Sequence, residues 1–368
     1  MGWEELLIEL LKTIWKSDLR KKLYPRTIFL NYDIKWLIDQ YSDEIVLDSL
    51  IPYSEIVRWL GLTKDATNKK ISEIKIRASE EKFCLSADNS DLRAFQGEAL
   101  AKMKEKGKMT SNENIVHLEN VEVRKEETIL FIESACYADQ AQSNLVMDWE
   151  GPHTLSRIAN VNTLRAYLKS RYINSLPSLN EHILANTIGI AAIILYRDGR
   201  HLVPYLPQRV GNSFKDLFKE TGRTPKGVAV FEGGYHCTAS GATQWRHGST
   251  LEEIFTNDMH NELKEEVGIR KEHIEILIPV AFCREFLRGG KPQIFYVGIT
   301  DRSRDELDEL RTEAIETTLA SKMVPEIHDE VRDYGTEDEL YNKLKLKGIT
   351  IEACANLHYV EDFVKVFG

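Results

Sequence analysis

The chain has 368 residues, enough for two domains or for one large domain with a substantial extension. Its 42% hydrophobic and 29% charged residues are ordinary for a folded soluble protein, and its formal net charge of -10 argues against broad electrostatic attraction to nucleic acid. The five cysteines form no CxxC pair, the N-terminus MGWEELLIELLKTIWKSDLRKK lacks the order of a signal peptide, and no run approaches the roughly 20 apolar residues of a membrane span, so a cytoplasmic protein is expected.

Residues 3–15 and 33–41 repeat apolar residues at helical spacing, so 1–115 reads as a mainly helical N-terminal region. Within it, YSEIVRWLGLTKDATNKKISEIK (53–75) has the outline of a helix, a glycine turn and a Lys-rich second helix. That outline fits either a helix-turn-helix that contacts nucleic acid or two packed helices of a helical subdomain. KEKGKMTSNEN (104–114) nearly lacks apolar residues and marks the main boundary. Beyond it, 121–137 and 144–149 read as paired strands and 154–174 as a helix, together a strand-rich and helical extension over 116–185.

From residue 186 the pattern changes. Two strand-like runs flank the hairpin signal Arg197-Asp198-Gly199-Arg200, and a third run, KGVAVFEGG (226–234), closes on Gly233 and Gly234. An acidic helix follows, then the strand IEILIPVAFCREF, a turn at 288–292, the strand QIFYVGIT, helical segments near 304–320 and 336–345, and the closing segment ANLHYVEDFVKVF. Strands outnumber helices without regular alternation, so the fold class is α+β.

The acidic helix is the most informative stretch. Overlapping capping boxes at Ser249-Thr250-Leu251-Glu252-Glu253 start it near Thr250, and Gly268 stops it. Leu251, Ile254, Phe255, Met259, Leu263 and Val267 form an apolar stripe. At about 100° per residue, Glu262 and Glu266 project onto that stripe, Glu265 lies beside Glu262, and Glu253 and Lys264 point to the opposite side. Carboxylates at the edge of a core need a compensating cation. Oxygen donors at i, i+3 and i+4 suit a hard divalent ion such as Mg²⁺ or Mn²⁺.

NELKEEVGI (261–269) resembles the end of the Nudix hydrolase signature, G-x5-E-x7-R-E-U-x-E-E-x-G-U with U aliphatic. Glu262, Leu263, Glu265, Glu266, Gly268 and Ile269 match its last letters, Glu253 matches the earlier glutamate, and Asn261 stands where the arginine is expected. With Gly234 taken as the signature glycine, 18 residues (235–252) replace the usual five, an insertion of about 13 that would form either a lid or recognition loop, or an inert surface excursion. The resemblance covers roughly 186–368 and implies an α/β/α sandwich with a mixed sheet.

It also implies a chemistry. Glu262, Glu265 and Glu266 would hold Mg²⁺ or Mn²⁺, water would attack a nucleoside diphosphate linked to another moiety, and Glu265 or Glu266 would take the proton. Arg209, Gly233, Gly234 and Arg284 would meet the nucleotide-type substrate, with surface or structural salt bridges as the alternative for the arginines. The other reading is a catalytically weak nucleotide sensor or regulator whose N-terminal region binds a protein or nucleic-acid partner.

Overall fold

The computed structural model describes residues 33–49, 51–87, 90–105, 112–149, 161, 163–209, 235–320, 328–331 and 349–368. Up to residue 171 the main elements are α1 (Asp33–Asp39), β1 (Val46–Asp48), β2 (Ile51–Arg58), α2 (Lys64–Ser72), β3 (Ile74–Lys82), α3 (Ser90–Glu105), β4 (Asn114–Val123), β5 (Thr128–Cys136) and α4 (Leu164–Arg171), with a short helical turn at Tyr137–Ala141 after β5. They are followed by β6 (Gly189–Asp198), β7 (His201–Tyr205), β8 (Pro207–Arg209), β9 (Ala239–Ala242), the acidic helix α5 (Asn257–Val267), β10 (Ile274–Glu285) and β11 (Lys291–Thr300). The remainder comprises α6 (Arg304–Ala320), β12 (His328–Val331), α7 (Ile351–Leu357) and α8 (Val360–Phe367).

A seven-stranded sheet runs β1-β2-β10-β11-β6-β7, and β9 pairs with β6 beside β7. It is mixed: β11 and β6 are parallel, and the other pairs are antiparallel. Strand β6 is buried along eight consecutive residues because both faces are covered. On one face Ala191, Ile193, Leu195, Phe295 and Val297 pack with Leu37 of α1, Ala353 of α7 and Phe363 of α8. On the other, Ile190, Ala192, Ile194, Phe282 and Tyr296 pack with Phe255, Met259, Leu263 and Val267 of the acidic segment. This is the expected α+β arrangement, a mixed sheet between helical layers.

The N-terminal part differs from the helical reading. Residues 51–58 are a strand paired antiparallel with β10, so 53–75 is neither a helix-turn-helix nor a pair of packed helices; only 64–72 is helical. IPYSEIVR carries β-branched and aromatic residues, and the open edge of β10 gives them a ladder that no isolated helix offers. Residues 144–149 also depart, forming a 3₁₀ turn at Asn144–Val146 in place of a strand. The helical stretches expected at 3–15 and 336–345 and the run at 226–234 lie outside the described residues.

The border expected at 104–114 is also revised. Strand β3 before it pairs in parallel with β5 after it, and β4 completes this second sheet. The second sheet is tied to the first where Val116 N donates to Thr243 O (2.9 Å), Trp245 N to Asn114 O (2.9 Å) and Ile188 N to Val116 O (2.9 Å). The small sheet therefore fixes the chain that leaves β9 and the chain that enters β6.

Two buried groups hold these pieces in register. The Arg165 guanidinium on α4 donates twice to Asp148 (2.8 and 2.7 Å), to Tyr41 Oη (2.7 Å) and to the carbonyls of Phe286 (2.8 Å) and Leu287 (2.5 Å). It joins α4 to the loop after α1 and to the end of β10. His117, fully buried on β4, donates from Nδ1 to Ala185 O at 2.5 Å, and burial pushes its pKa down to about 4.

Arg165→Met should lower the unfolding free energy by about 3–5 kcal/mol, because Asp148 is left buried without its counter-charge; urea midpoints measure this. His117 gives a pH dependence. Its folded pKa lies below the ordinary 6.5, so the unfolded chain binds the proton first and stability falls as pH drops. The loss runs from pH 6.5 to about 4 and reaches about 3 kcal/mol; it should vanish in His117→Gln, as urea melts across that range would show.

Candidate active site on the acidic helix

The helix begins as the sequence indicates. Glu253 N donates to Thr250 Oγ1 (3.2 Å), and the Glu253 carboxylate accepts from Thr250 N (3.1 Å) and Ser249 N (2.9 Å). Those hydrogen bonds hold the Glu253 carboxyl below its ordinary pKa. Glu252, the acid of the other box, instead reaches Lys271 at 3.2 Å. A π turn over Glu252–Thr256 follows, and α5 continues to Gly268, whose φ of 72° ends the helix in the left-handed region. All six residues of the predicted apolar stripe are buried.

The two acids projected onto that stripe do face the core. Glu266 is 9% exposed and accepts from Ser240 N at 3.2 Å, while Glu262 is half-buried with its carboxylate against Gly241. A Cβ on residue 241 would collide with both carboxylate oxygens of Glu262. Glu265 is exposed, one position round the helix. The sequence reading missed Asp258, which is 4% exposed; it accepts from Gln244 N at 2.8 Å and pairs with Arg246. Asp258, Glu262 and Glu266 stand four residues apart on one helix face, and that spacing from Glu262 was the available signal.

The stripe thus lies along a single run of chain, with Ser240, Gly241, Gln244 and Arg246 meeting successive acids. This locates the close-packed glycine of the site at Gly241. Twenty residues (242–261) separate it from Glu262, six more than the fourteen of the signature. The stretch 235–252 is not a surface lid throughout: Tyr235, His236, Cys237, Thr238 and Ala239 are buried, and 239–242 is strand.

Of the residues expected at the substrate, Gly233 and Gly234 lie outside the described residues. Arg209 ends β8, where its backbone pairs with His328 of β12. Arg284 is engaged elsewhere: its guanidinium donates to Gly290 O (3.1 Å) and Pro177 O (2.5 Å), closing the β10–β11 turn, and burial lowers its pKa to about 10.

Carboxylate oxygens are the donors that Mg²⁺ or Mn²⁺ takes, and Glu262 and Glu266 both turn toward β9. Among the described residues, however, no three His, Cys, Asp or Glu side chains converge on one point. Glu265 would have to turn inward to complete a three-carboxylate set. The last turn of a helix is also an unfavourable place for anions, by about 0.3–1 kcal/mol each, and Glu265 and Glu266 both occupy it with only Lys264 as a local cation.

No family model matches the chain, and no curated protein matches it. Solved structures similar to it include a mutT/nudix family protein from Listeria innocua, at 14% identity, covering 48% of this chain and 93% of that one with a TM-score of 0.30. The NUDIX domain of Shewanella oneidensis NrtR, complexed with ADP ribose, is 11% identical over 53% of this chain and 98% of its own, with a TM-score of 0.27. NrtR of the same organism is 15% identical over 48% and 61%, with a TM-score of 0.22. Likeness this distant leaves the function of the acidic helix to its own residues. Among the described residues no helix is long and apolar enough to cross a membrane.

The contact between Gly241 and Glu262 is open to a double-mutant cycle. Gly241→Ala should destabilise the native protein yet be nearly neutral in a Glu262→Ala background, a coupling of about 0.5–3 kcal/mol read from urea midpoints. Additive effects would show that the two residues do not meet.

Proposed function

We propose that the chain is a metal-dependent hydrolase of a nucleoside diphosphate linked to another moiety, with Glu262, Glu265 and Glu266 as the acids of the site. The observation that carries this reading is the placement of Glu262 and Glu266. Both turn from the C-terminal half of a helix onto the backbone of β9, where the helix dipole works against them and a bound cation would offset it.

A bound Mg²⁺ or Mn²⁺ would neutralise diphosphate charge and lower the pKa of an attacking water. Glu262 and Glu266 hold their carboxylates toward β9, and Glu265, exposed and one step round the helix, has room both to close the ligand set and to accept the water's proton. Arg209, Gly233 and Gly234 stay assigned to the diphosphate on the sequence pattern alone. Arg284 in this reading holds the β10–β11 turn. The reducing cytoplasm suits the free cysteines of the chain.

A second reading, a catalytically weak nucleotide sensor or regulator, is favoured by Asn261 in place of the signature arginine and by the incomplete convergence of the acids. Its partner contact would not be a helix-turn-helix at 53–75, since 51–58 is a strand.

The test is turnover of a panel of nucleotide sugars, dinucleotides and ADP-ribose with Mg²⁺ or Mn²⁺. Glu262→Gln, Glu265→Gln and Glu266→Gln should each reduce turnover by more than about 100-fold, the upper end for losing an outer-shell group. If the wild type turns over nothing above these variants but its melting temperature still rises with a nucleotide, the regulator reading replaces the hydrolase.

A further inference from the structure

Two cysteines stand side by side at one end of the small sheet. Lys82 of β3 and Ser134 of β5 are partners in the parallel ladder, and Phe83 N donates to Ser134 O at 2.8 Å, so the two chains still run together past residue 82. Cys84 and Cys136 each lie two residues beyond that pair. The residues between, Phe83 and Ala135, are both buried in one small apolar cluster with Ala185. Side chains alternate along extended chain, so Cys84 and Cys136 project together from the opposite face. The Cys136 backbone is extended, with φ -99° and ψ 149°. Neighbouring strands lie about 4.8 Å apart, inside the Cα separation of about 4.4–6.8 Å that a disulfide spans.

Both thiols are free, Cys84 exposed and Cys136 half-buried, whereas Cys237 and Cys283 are buried. Lys82 meets the same two sulfurs. Its hydrogen bond to the Cys136 thiol is the main cause that raises the ammonium, and Cys84 adds a smaller pull. An accessible thiol with a second one and a cation beside it is the setting of redox-responsive cysteines: the exposed sulfur is oxidised first, and its neighbour resolves it. In a reducing compartment such a pair stays open until an oxidant arrives. Cys136 Sγ also donates to Asn114 Oδ1 at 3.7 Å, and Asn114 O accepts from Trp245 N at 2.9 Å. The pair therefore stands at the strand end that holds the chain after β9.

We propose that Cys84 and Cys136 close to a reversible disulfide when a peroxide reaches Cys84. The Cys84 thiolate attacks one oxygen of hydrogen peroxide and the O–O bond breaks; the sulfur becomes a sulfenic acid, and the departing hydroxide leaves as water with the proton that the thiol gave up. Cys136 then attacks the Cys84 sulfur. The S–S bond forms, the S–O bond breaks, and the second hydroxide leaves as water with the Cys136 proton. In sum the two thiols lose two electrons and two protons, and the peroxide is reduced to two waters. The device does not rest on the hydrolase reading.

The test treats the reduced full chain with hydrogen peroxide and maps its tryptic peptides without reduction. The wild type should yield FCLSADNSDLR joined through Cys84 to the peptide that carries Cys136, lighter by two hydrogens than the two apart, and dithiothreitol should restore both thiols. In Cys136→Ser the oxidised Cys84 lacks its partner and should be trapped as a dimedone adduct, which is lost in the wild type. Cys84→Ser should form no linked peptide with Cys136. Peroxide added in urea should link the cysteines without this preference, because the fold makes the selection. Free thiols at both positions, a dimedone adduct at Cys84 in the wild type with Cys136 still free, linkage of either cysteine to another, or an equal yield of the Cys84–Cys136 peptide in urea would overturn the proposal.

Discussion

Residue 241 has no side chain, and the layout of the candidate site follows from that. Any Cβ there would occupy the space of the Glu262 carboxylate. With glycine the helix lies flat against β9, and three acids at four-residue intervals each meet a different part of the 240–246 chain. The segment after β9 is in turn held by β4 through the Val116 and Trp245 backbone bonds. The second sheet, which has no part in the acid stripe, therefore anchors the run of chain that meets Asp258.

The acidic helix was legible because its signals are local. Capping at Thr250 and Glu253, the stop at Gly268 and the apolar stripe depend on residues within a few turns of one another, and all appear in the structure. The hairpin at Gly199 and the turn at Gly289 and Gly290 were readable for the same reason, since glycine relieves positive φ at each. Asp258 was hidden by its neighbours. It sits between apolar residues on the stripe, and its contacts with Gln244 and Arg246 bring out what its spacing from Glu262 only suggests.

The N-terminal strands were not legible, because their structure is decided at long range. Within 51–58 the apolar residues Ile51, Tyr53, Ile56 and Val57 satisfy a helical count about as well as an alternating one. The ladder with β10 settles the choice, with Tyr53 opposite Glu285 and Arg58 opposite Ala281 across more than two hundred residues of chain. The low apolar content of 104–114 likewise indicates a loop, and it carries no information on whether the strands to either side belong to one sheet.

The substitution at Asn261 weighs less against the site than its place in the signature suggests. Asn261 is exposed, on the side of α5 away from the buried stripe. An arginine there would neighbour Glu265, one turn on, rather than the half-buried Glu262 and the buried Glu266. A guanidinium does stand beside the stripe, but it comes from the chain after β9: Arg246 pairs with Asp258, which lies one turn before Glu262. Opposite charges in contact on a half-buried surface fix side-chain position more than they add stability. Arg246 thus places beside the stripe a cation that comes from a loop and not from the helix, paired with Asp258.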